Sequence, residues 1–449
     1  MTPTTKLSWL ALLVATLGAA GCNFDIENPN SPNIIGEDPN RSEVAAAAAG
    51  ILIATRVDMA DFALKAGILG REAYRFDPAD PRFVSELMQG PLDAGGRAFG
   101  GNHWQEEYAA IRSANDLLAV IGTASQLSDA EQNAVRGFAH TFQAYNFIII
   151  LDAHTQDSIP IDVGTDVTAA PAPLRSNADA WAHVISLLDT GLSELQAGGS
   201  AFPFSLPAGF TGFNTPEGFV RFNRALRARV AVYRGDFAGA LGFLGQSFLD
   251  PAAPLDLGVY MDYSPGAGDT PNPLAVDPQT SENFGHPSLE TQSQLQPDGS
   301  LDLRFLTKLV QRTERSAGSP QALTSDLGWI RYPSPNSPIP LIKNEELILL
   351  RAEANIGLSD FITALSDINL VRQTSGGLAP YAGVVDQPSL LVELLYNKRY
   401  SLLYEGGHSW IDFRRYNRTA DLVTFDRPGP PPDVIFSTLP IPSAEVLPR

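Results

Sequence analysis

Glu405, His408, Asp412, Arg414 and Arg415 crowd into one run, YEGGHSWIDFRRYNR at 404–418. Two carboxylates flanking an imidazole are raw material for acid–base catalysis, with the imidazole as proton shuttle. Such work needs the groups on one face. Gly406-Gly407 breaks any helix between Glu405 and Asp412, so spacing gives them none. The competing reading is a joint: a helix ends at Tyr404, the glycine pair makes a tight turn, and Trp410 docks into the core. Glu405 and Asp412 then pair with Arg399, Arg414 or Arg415, because a planar guanidinium suits bidentate pairing with a carboxylate. We adopt the joint, since ion-pair networks cluster charges without catalysing anything.

Other enzyme signatures are missing from the sequence. It has no G-x-S-x-G, no H-E-x-x-H, no Walker loop and no calcium-loop acid spacing. GGRAFGG at 95–101 is glycine-rich but lacks the Lys and the strand–helix context of a phosphate loop. The six histidines, at 103, 140, 154, 183, 286 and 408, show no paired ligand spacing. Glycoside hydrolysis needs only two carboxylates, but no pattern singles out a pair among the 50 acidic residues. The expectation is therefore no enzyme activity, no cofactor and no metal site.

The elements that must position these residues are helical. HWQEEYAAIRSANDLLAVI puts Trp104, Tyr108, Ile111, Asn115 and Leu118 on one stripe. Ser128 and Glu131 form a capping box before a long apolar helix, and Asn177 or Asp179 caps a third. Two later pairs share a pattern. Gly235 stops one helix and Asp236 caps the next; Gly357 stops and Ser359 restarts; both second helices then read Phe-x-x-Ala-Leu, at Phe237 and Phe361. These resemble tetratricopeptide helix pairs, without a regular 34-residue period. Residues 74–103, 198–219 and 250–300 are rich in Gly, Pro, Asn and Asp and read as long functional loops. QPDGSLDLRFLTKLV suggests a short hairpin.

With 44% hydrophobic and 18% charged residues, the 449-residue chain is a globular protein that buries a sizeable core. A net charge of −19 repels phosphate backbones, so nucleic acid is not an expected partner. The sole cysteine, Cys22, rules out an intramolecular disulfide and follows a signal-peptide pattern: Lys6, an apolar run from Leu7 to Ala20, then Ala19-Ala20-Gly21. Residues 1–21 are thus expected to be a lipoprotein signal peptide. Cys22 would be the acylated residue, and 22–40, rich in Asn, Pro and acids, a flexible tether from the membrane. No later apolar run reaches the length of a membrane helix.

Several segments together resemble the SusD/RagB family of nutrient-binding outer-membrane lipoproteins. HWQEEYAAIRSAND is similar to its W-x3-Y-x2-I-x2-A-N helix, LDLRF to its Asp-x-Arg strand, and the Ala-Glu-Ala of LLRAEAN to its later helix. INLVRQ and the closing LPIP also fit. The opening run is similar to the family's Glu-Arg segment leading into Phe-Glu-Gly-x-Arg-Trp-x-Asp-x-x-Arg, keeping Arg399, Glu405, Gly406, Trp410, Asp412 and Arg415 as a structural motif. Asn397 and Ser401 stand where the family usually has acids, a residue is inserted at Gly406-Gly407, and Ser409 replaces an Arg.

The resemblance implies a mostly α fold, with tetratricopeptide-like helix pairs as scaffold plus long loops and a few short strands. It implies one SusD-like domain over 41–449, with a helix-pair half at 41–248 and a loop-rich insertion, helix pairs and closing segment at 249–449. It also implies a non-enzymatic lipoprotein of the outer membrane, lipid-anchored and facing the cell exterior. Such a protein captures oligosaccharide or peptide and hands it to a TonB-dependent, SusC-like transporter. Sugar recognition calls for exposed aromatic rings with a few polar groups. The candidates are Tyr74, Phe76, Phe99, Tyr260, Tyr263, Phe284, Trp329 and Tyr332, with Arg97 and Asn102 beside them; Trp104, Tyr108 and Trp181 are assigned to the core. The alternative is a tetratricopeptide-type envelope lipoprotein scaffold that binds only protein partners.

Overall fold

The computed structural model describes residues 35–95, 102–155, 157–166, 169–318, 323–424 and 432–446. Cys22, the signal peptide, most of the tether, Arg97 and Phe99 lie outside them. Among the described residues the first element is the long helix α1 (Arg41–Leu69), started by a capping box between Asn40 and Glu43. Strand β1 (Ala73–Arg75) and helix α2 (Arg82–Gln89) follow. Next come α3 (Asn102–Val120) and α4 (Asp129–Ala153), the latter with the expected Ser128–Glu131 box. Strands β2 (Ile159–Pro160) and β3 (Leu174–Arg175) lead to α5 (Asn177–Gln196). The cap of α5 is Ser176, one residue before the expected site, with its side chain on the Asp179 amide.

Helices α6 (Pro216–Tyr233) and α7 (Phe237–Leu244) form the first Gly-Asp pair, with Gly235 at φ +76° and Asp236 as cap. A strand-rich stretch comes next: β4 (Gly258–Met261), β5 (Asn283–Gly285), α8 (Ser288–Thr291), α9 (Leu303–Lys308), β6 (Leu309–Gly318), β7 (Leu323–Trp329) and β8 (Ile339–Lys343). The chain then returns to helices: α10 (Asn344–Gly357), α11 (Phe361–Thr374), α12 (Gln387–Ser401), α13 (His408–Arg415) and a short α14 (Ser443–Val446). In the second pair Asp360, not Ser359, caps α11, because Ser359 is taken up by the turn at φ +64°.

Helices pack in sequence order: α3 on α1, α4 on α3, α5 on α4, α6 on α5, α7 on α6, and then α10 on both α6 and α7. The Phe-x-x-Ala-Leu expectation holds in its small residue, since Ala240 and Ala364 are completely buried. The Phe237 ring lies so close to Gly357 that an added Cβ there would come within 2.2 Å of it, so α7 meets the end of α10 through bare backbone. Helices α10, α11 and α12 share a second apolar cluster around Ile348, Ile368 and Leu394. Helix α13 turns back onto α1, closing the circuit. The carboxy-terminal half of α1 is accordingly enclosed on almost every side, and from Asp58 to Leu69 only Asp61 is not buried.

Much of the region read as loops is sheet. β1, β5, β7 and β6 make a four-stranded antiparallel sheet in that order; β2 pairs with β3 and β4 with β8. LDLRF corrects the hairpin expectation. Asp298-Gly299 does turn, closed by a Leu295–Leu301 bridge, but the Asp302 side chain then caps the Arg304 amide and starts α9, so the strand begins only at Leu309.

The joint at 402–407 ends α12 at Ser401, three residues earlier than expected, and restarts the chain at Gly407, φ +73°. An added Cβ at Gly407 would lie 2.3 Å from the Ala66 Cβ, so the position excludes side chains by both conformation and space. Gly407→Ala is expected to destabilise the protein by about 2–4 kcal/mol, combining left-handed strain with overpacking against α1. Chemical denaturation checks this as a lowered midpoint with an unchanged slope.

Candidate binding site

The charged run takes part in a buried ion network. Glu405 is buried; Lys343 Nζ stands 2.8 Å from it, Arg331 Nε 2.9 Å and Lys308 Nζ 3.3 Å. None of these is the Arg399, Arg414 or Arg415 expected from sequence, because its partners come from β8, from the last residue of α9 and from the segment after β7. Burial pushes the Glu405 carboxyl up, but the three cations prevail and hold it well below the usual range. Asp412 does pair as expected with Arg415, 2.8 Å away, and also with Lys398 at 2.8 Å. Both cations reach on to Glu353, centre of the Ala-Glu-Ala triplet, at 2.6 and 2.8 Å. Burial opposes ionisation of Glu353, yet Arg415 and Lys398 draw it down to about 2.

The remaining residues of the run are structural too. Trp410 is fully buried and donates to the Phe436 carbonyl at 2.7 Å. Arg414 lies over its ring, 3.4 Å from the centroid, and bonds the Asp152 and Ser437 carbonyls. His408 is buried, which pushes its imidazole down toward the neutral form. Arg399 donates to the Arg71 carbonyl and to Ser288 Oγ. Asn397 and Ser401, standing where acids are usual in the resembled family, serve as neutral acceptors for Arg304, each at 3.0 Å. The charge on Arg304 is met by Asp302, in a bidentate grip.

Six of the aromatic candidates do not present a face to a ligand. Tyr74 is 1% exposed, Phe284, Trp329 and Tyr332 2%, Tyr263 5% and Phe76 9%. The physical reason is strand geometry. Tyr74 and Phe284 are register partners in β1 and β5, Phe76 stacks on Tyr74, and Trp329 in β7 stacks on Tyr404 at 4.1 Å, so these rings seal the sheet onto the joint. Tyr260 is half-buried and lines a cleft of ≈ 510 Å³ whose floor is Glu405 and its cations. Asn102 is the first residue of α3.

A cleft of ≈ 610 Å³ lies against α3, between Trp104, Tyr108 and Arg112 on one wall and Pro160, Asp162, Asp166 and the 169–172 segment on the other. The stripe on α3 builds it. Tyr108 Oη donates to the Pro160 carbonyl at 2.7 Å and Asn115 Nδ2 to the Val163 carbonyl at 2.7 Å, pinning the facing loop. The β2–β3 ladder and the Arg175–Asp162 ion pair, 2.9 Å, close that loop at its neck. Trp104 packs behind Tyr108 with the rings tilted and their centroids 5.1 Å apart, and Tyr108 is half-buried at the cleft wall. Among the described residues Arg112 donates to the Thr165 carbonyl, at 3.4 Å. A half-buried ring beside a guanidinium and carboxylates suits a ligand with apolar faces and hydroxyl edges.

Another cleft, of ≈ 510 Å³ along α1, is mainly apolar, and its Arg56 is engaged by Asp269 at 2.5 Å and by the Asp262 carbonyl. Its polar group is already satisfied, as are the cations under Glu405. Sequence reasoning placed Trp104 and Tyr108 in the core; for Trp104 this holds, while the signal for Tyr108 was its place on the same stripe facing a Pro- and Ala-rich loop.

No protein-family model and no curated protein matches the chain. Solved structures do. The chain is similar to a SusD superfamily protein from Bacteroides fragilis, with TM-score 0.69 and 15% identity over 91% of this chain and 97% of that one. It is also similar to a SusD-like carbohydrate binding protein from Bacteroides fragilis, with TM-score 0.68 and 14% identity over 88% of this chain and 89% of that one. A third, a SusD-like carbohydrate binding protein from Bacteroides vulgatus, has TM-score 0.64 and 17% identity, with 84% and 83% covered. The chain therefore has the SusD-like fold, mostly helical with short strands, as the sequence led us to expect.

Two opposite pH dependences follow from the buried carboxyls. Glu405 and Glu353 are held low, so their contribution to stability is complete above the ordinary value of 4.5 and is lost as pH falls toward 2. Glu72 is raised to about 7, chiefly by burial, so its contribution is present below 4.5 and lost as pH rises through 7. Glu405→Gln leaves three cations underpaired and is expected to cost about 3–5 kcal/mol at neutral pH, with the loss shrinking in acid. Thermal melts of both proteins from about pH 2 to about pH 8, which spans both windows of loss, check this.

Proposed function

We propose that the chain is a member of the SusD/RagB family that binds oligosaccharides without altering them. The observation that carries this reading is the α3 cleft, where Tyr108 offers a ring, and Arg112, Asp162 and Asp166 offer hydroxyl partners. The carbohydrate binding described for two of the similar structures supports it. A sugar stacks its apolar face on Tyr108, and the guanidinium and carboxylates fix its orientation through hydroxyls. The action is local concentration and release, with no bond made or broken. In keeping with the Cys22 pattern, an acyl anchor holds the protein at the outer membrane, facing outward, where it passes its cargo to a TonB-dependent transporter.

Calorimetric titration of the full chain in detergent with a panel of neutral oligosaccharides is the test. At least one glycan binds, Tyr108→Ala and Arg112→Ala each weaken it about tenfold or more, and no shortened product accumulates. Binding unchanged in both variants, or product whose rate tracks Glu405 or Asp412, overturns the reading. For the anchor, Cys22→Ser is expected to move the protein from the membrane fraction to the soluble fraction. Unchanged membrane association in that variant refutes acylation.

A further inference from the structure

The interior between α1 and α3 holds a polar cluster that the cleft does not use. Asp58 and Asp61 stand about one turn apart on α1, and His103 lies in the first turn of α3. One potential ligand atom from each of the three falls within 4.8 Å of the other two. Asp58 and His103 are buried, and Asp61 is half-buried, giving the cluster one wet edge. His103 Nδ1 is bonded to Asp58 Oδ2, and Lys65 Nζ lies 2.5 Å from Asp61 Oδ2.

A second observation points to a missing partner. Glu107 follows His103 by one helical turn on the same face of α3 and is 2% exposed. Its Oε2 has no hydrogen-bond partner, and the carboxyl is near enough to Asp58 for the two to repel. His103 Nε2 is likewise buried and unpartnered. Buried polar atoms are nearly always satisfied, so an orphaned carboxylate oxygen beside this cluster needs a reason.

We propose that Asp58, Asp61 and His103 bind one divalent transition-metal ion, zinc in preference to calcium or magnesium, with Glu107 as the carboxylate that completes or orients the site. An imidazole nitrogen beside two carboxylates is a zinc-type donor set, whereas calcium and magnesium take oxygen ligands. The ion replaces the proton between His103 and Asp58, while Lys65 stays with Asp61. It ties α1 to the first turn of α3, immediately before Trp104 at the cleft. The donors sit 45 positions apart in sequence, on two helices, which is why histidine spacing gave no hint of them.

The test is calorimetric titration of the chelator-stripped full chain in detergent with zinc chloride, with manganese and calcium chlorides in parallel arms. Zinc binds at one ion per chain and raises the melting temperature, manganese binds more weakly, and calcium has no effect. Asp61→Asn, at the half-exposed edge where folding is least disturbed, and His103→Gln both abolish stoichiometric zinc binding, with unchanged circular dichroism for Asp61→Asn. Glu107→Gln keeps the stoichiometry and weakens affinity about 10- to 100-fold. No saturable zinc binding, a preference for calcium, or zinc binding unchanged in both Asp61→Asn and His103→Gln overturns the proposal and leaves His103–Asp58 as a simple buried pair.

Discussion

The structure depends on a requirement that charges taken out of water be met by opposite charges. Glu353 and Asp412 share Lys398 and Arg415, Glu405 faces three cations, and Arg229 grips Glu346 through both oxygens at 2.6 and 2.8 Å. An ion pair in this setting adds little net stability over a hydrophobic substitute, but losing one partner is severe. What it supplies is specificity. The network joins α6, α10, α12 and α13 through these pairs, and α13 packs onto α1.

From that lock the rest of the architecture can be traced outward. Tyr404, at the joint, stacks under Trp329 and takes the Tyr332 hydroxyl on its carbonyl, so the sheet is held to the helices at the same place. Tyr74, Phe76 and Phe284 continue the aromatic layer along the sheet. These rings are therefore building material. The cleft proposed for recognition lies on the opposite kind of surface, where a regular helix, α3, faces a loop closed at its neck.

The sequence made the helical architecture legible because its signals are local. The Ser128 box, the Gly235-Asp236 break and the Ala240 and Ala364 contact points all depend on neighbours within a turn or two. The misses share a cause as well. Glu405 finds its cations 62 or more residues earlier in the chain, and no spacing rule reveals partners brought together by tertiary folding. Exposed aromatics were sought in Gly- and Pro-rich stretches, but short strands there alternate inward, and strand pairing between residues 75 and 283 is invisible locally. LDLRF went to helix because one side-chain cap at Asp302 outweighed alternation.

The closed circuit of helices bears on the order in which the chain acquires its shape. The turn after α1 is completed by the far end of the protein: Glu72 accepts from the Tyr404 amide, the Arg71 carbonyl from Arg399, the Gly70 carbonyl from Ser409, and Arg71 itself donates to the Val434 carbonyl. An amino-terminal fragment has none of these groups to offer. Nascent chain lacking its last stretch must leave that turn hydrated and the surrounding helices loosely joined, and the closing contacts, spanning more than 320 positions, form late because bringing such distant residues together is entropically slow. A polypeptide built this way completes the packing around its first long helix only when its last residues have arrived.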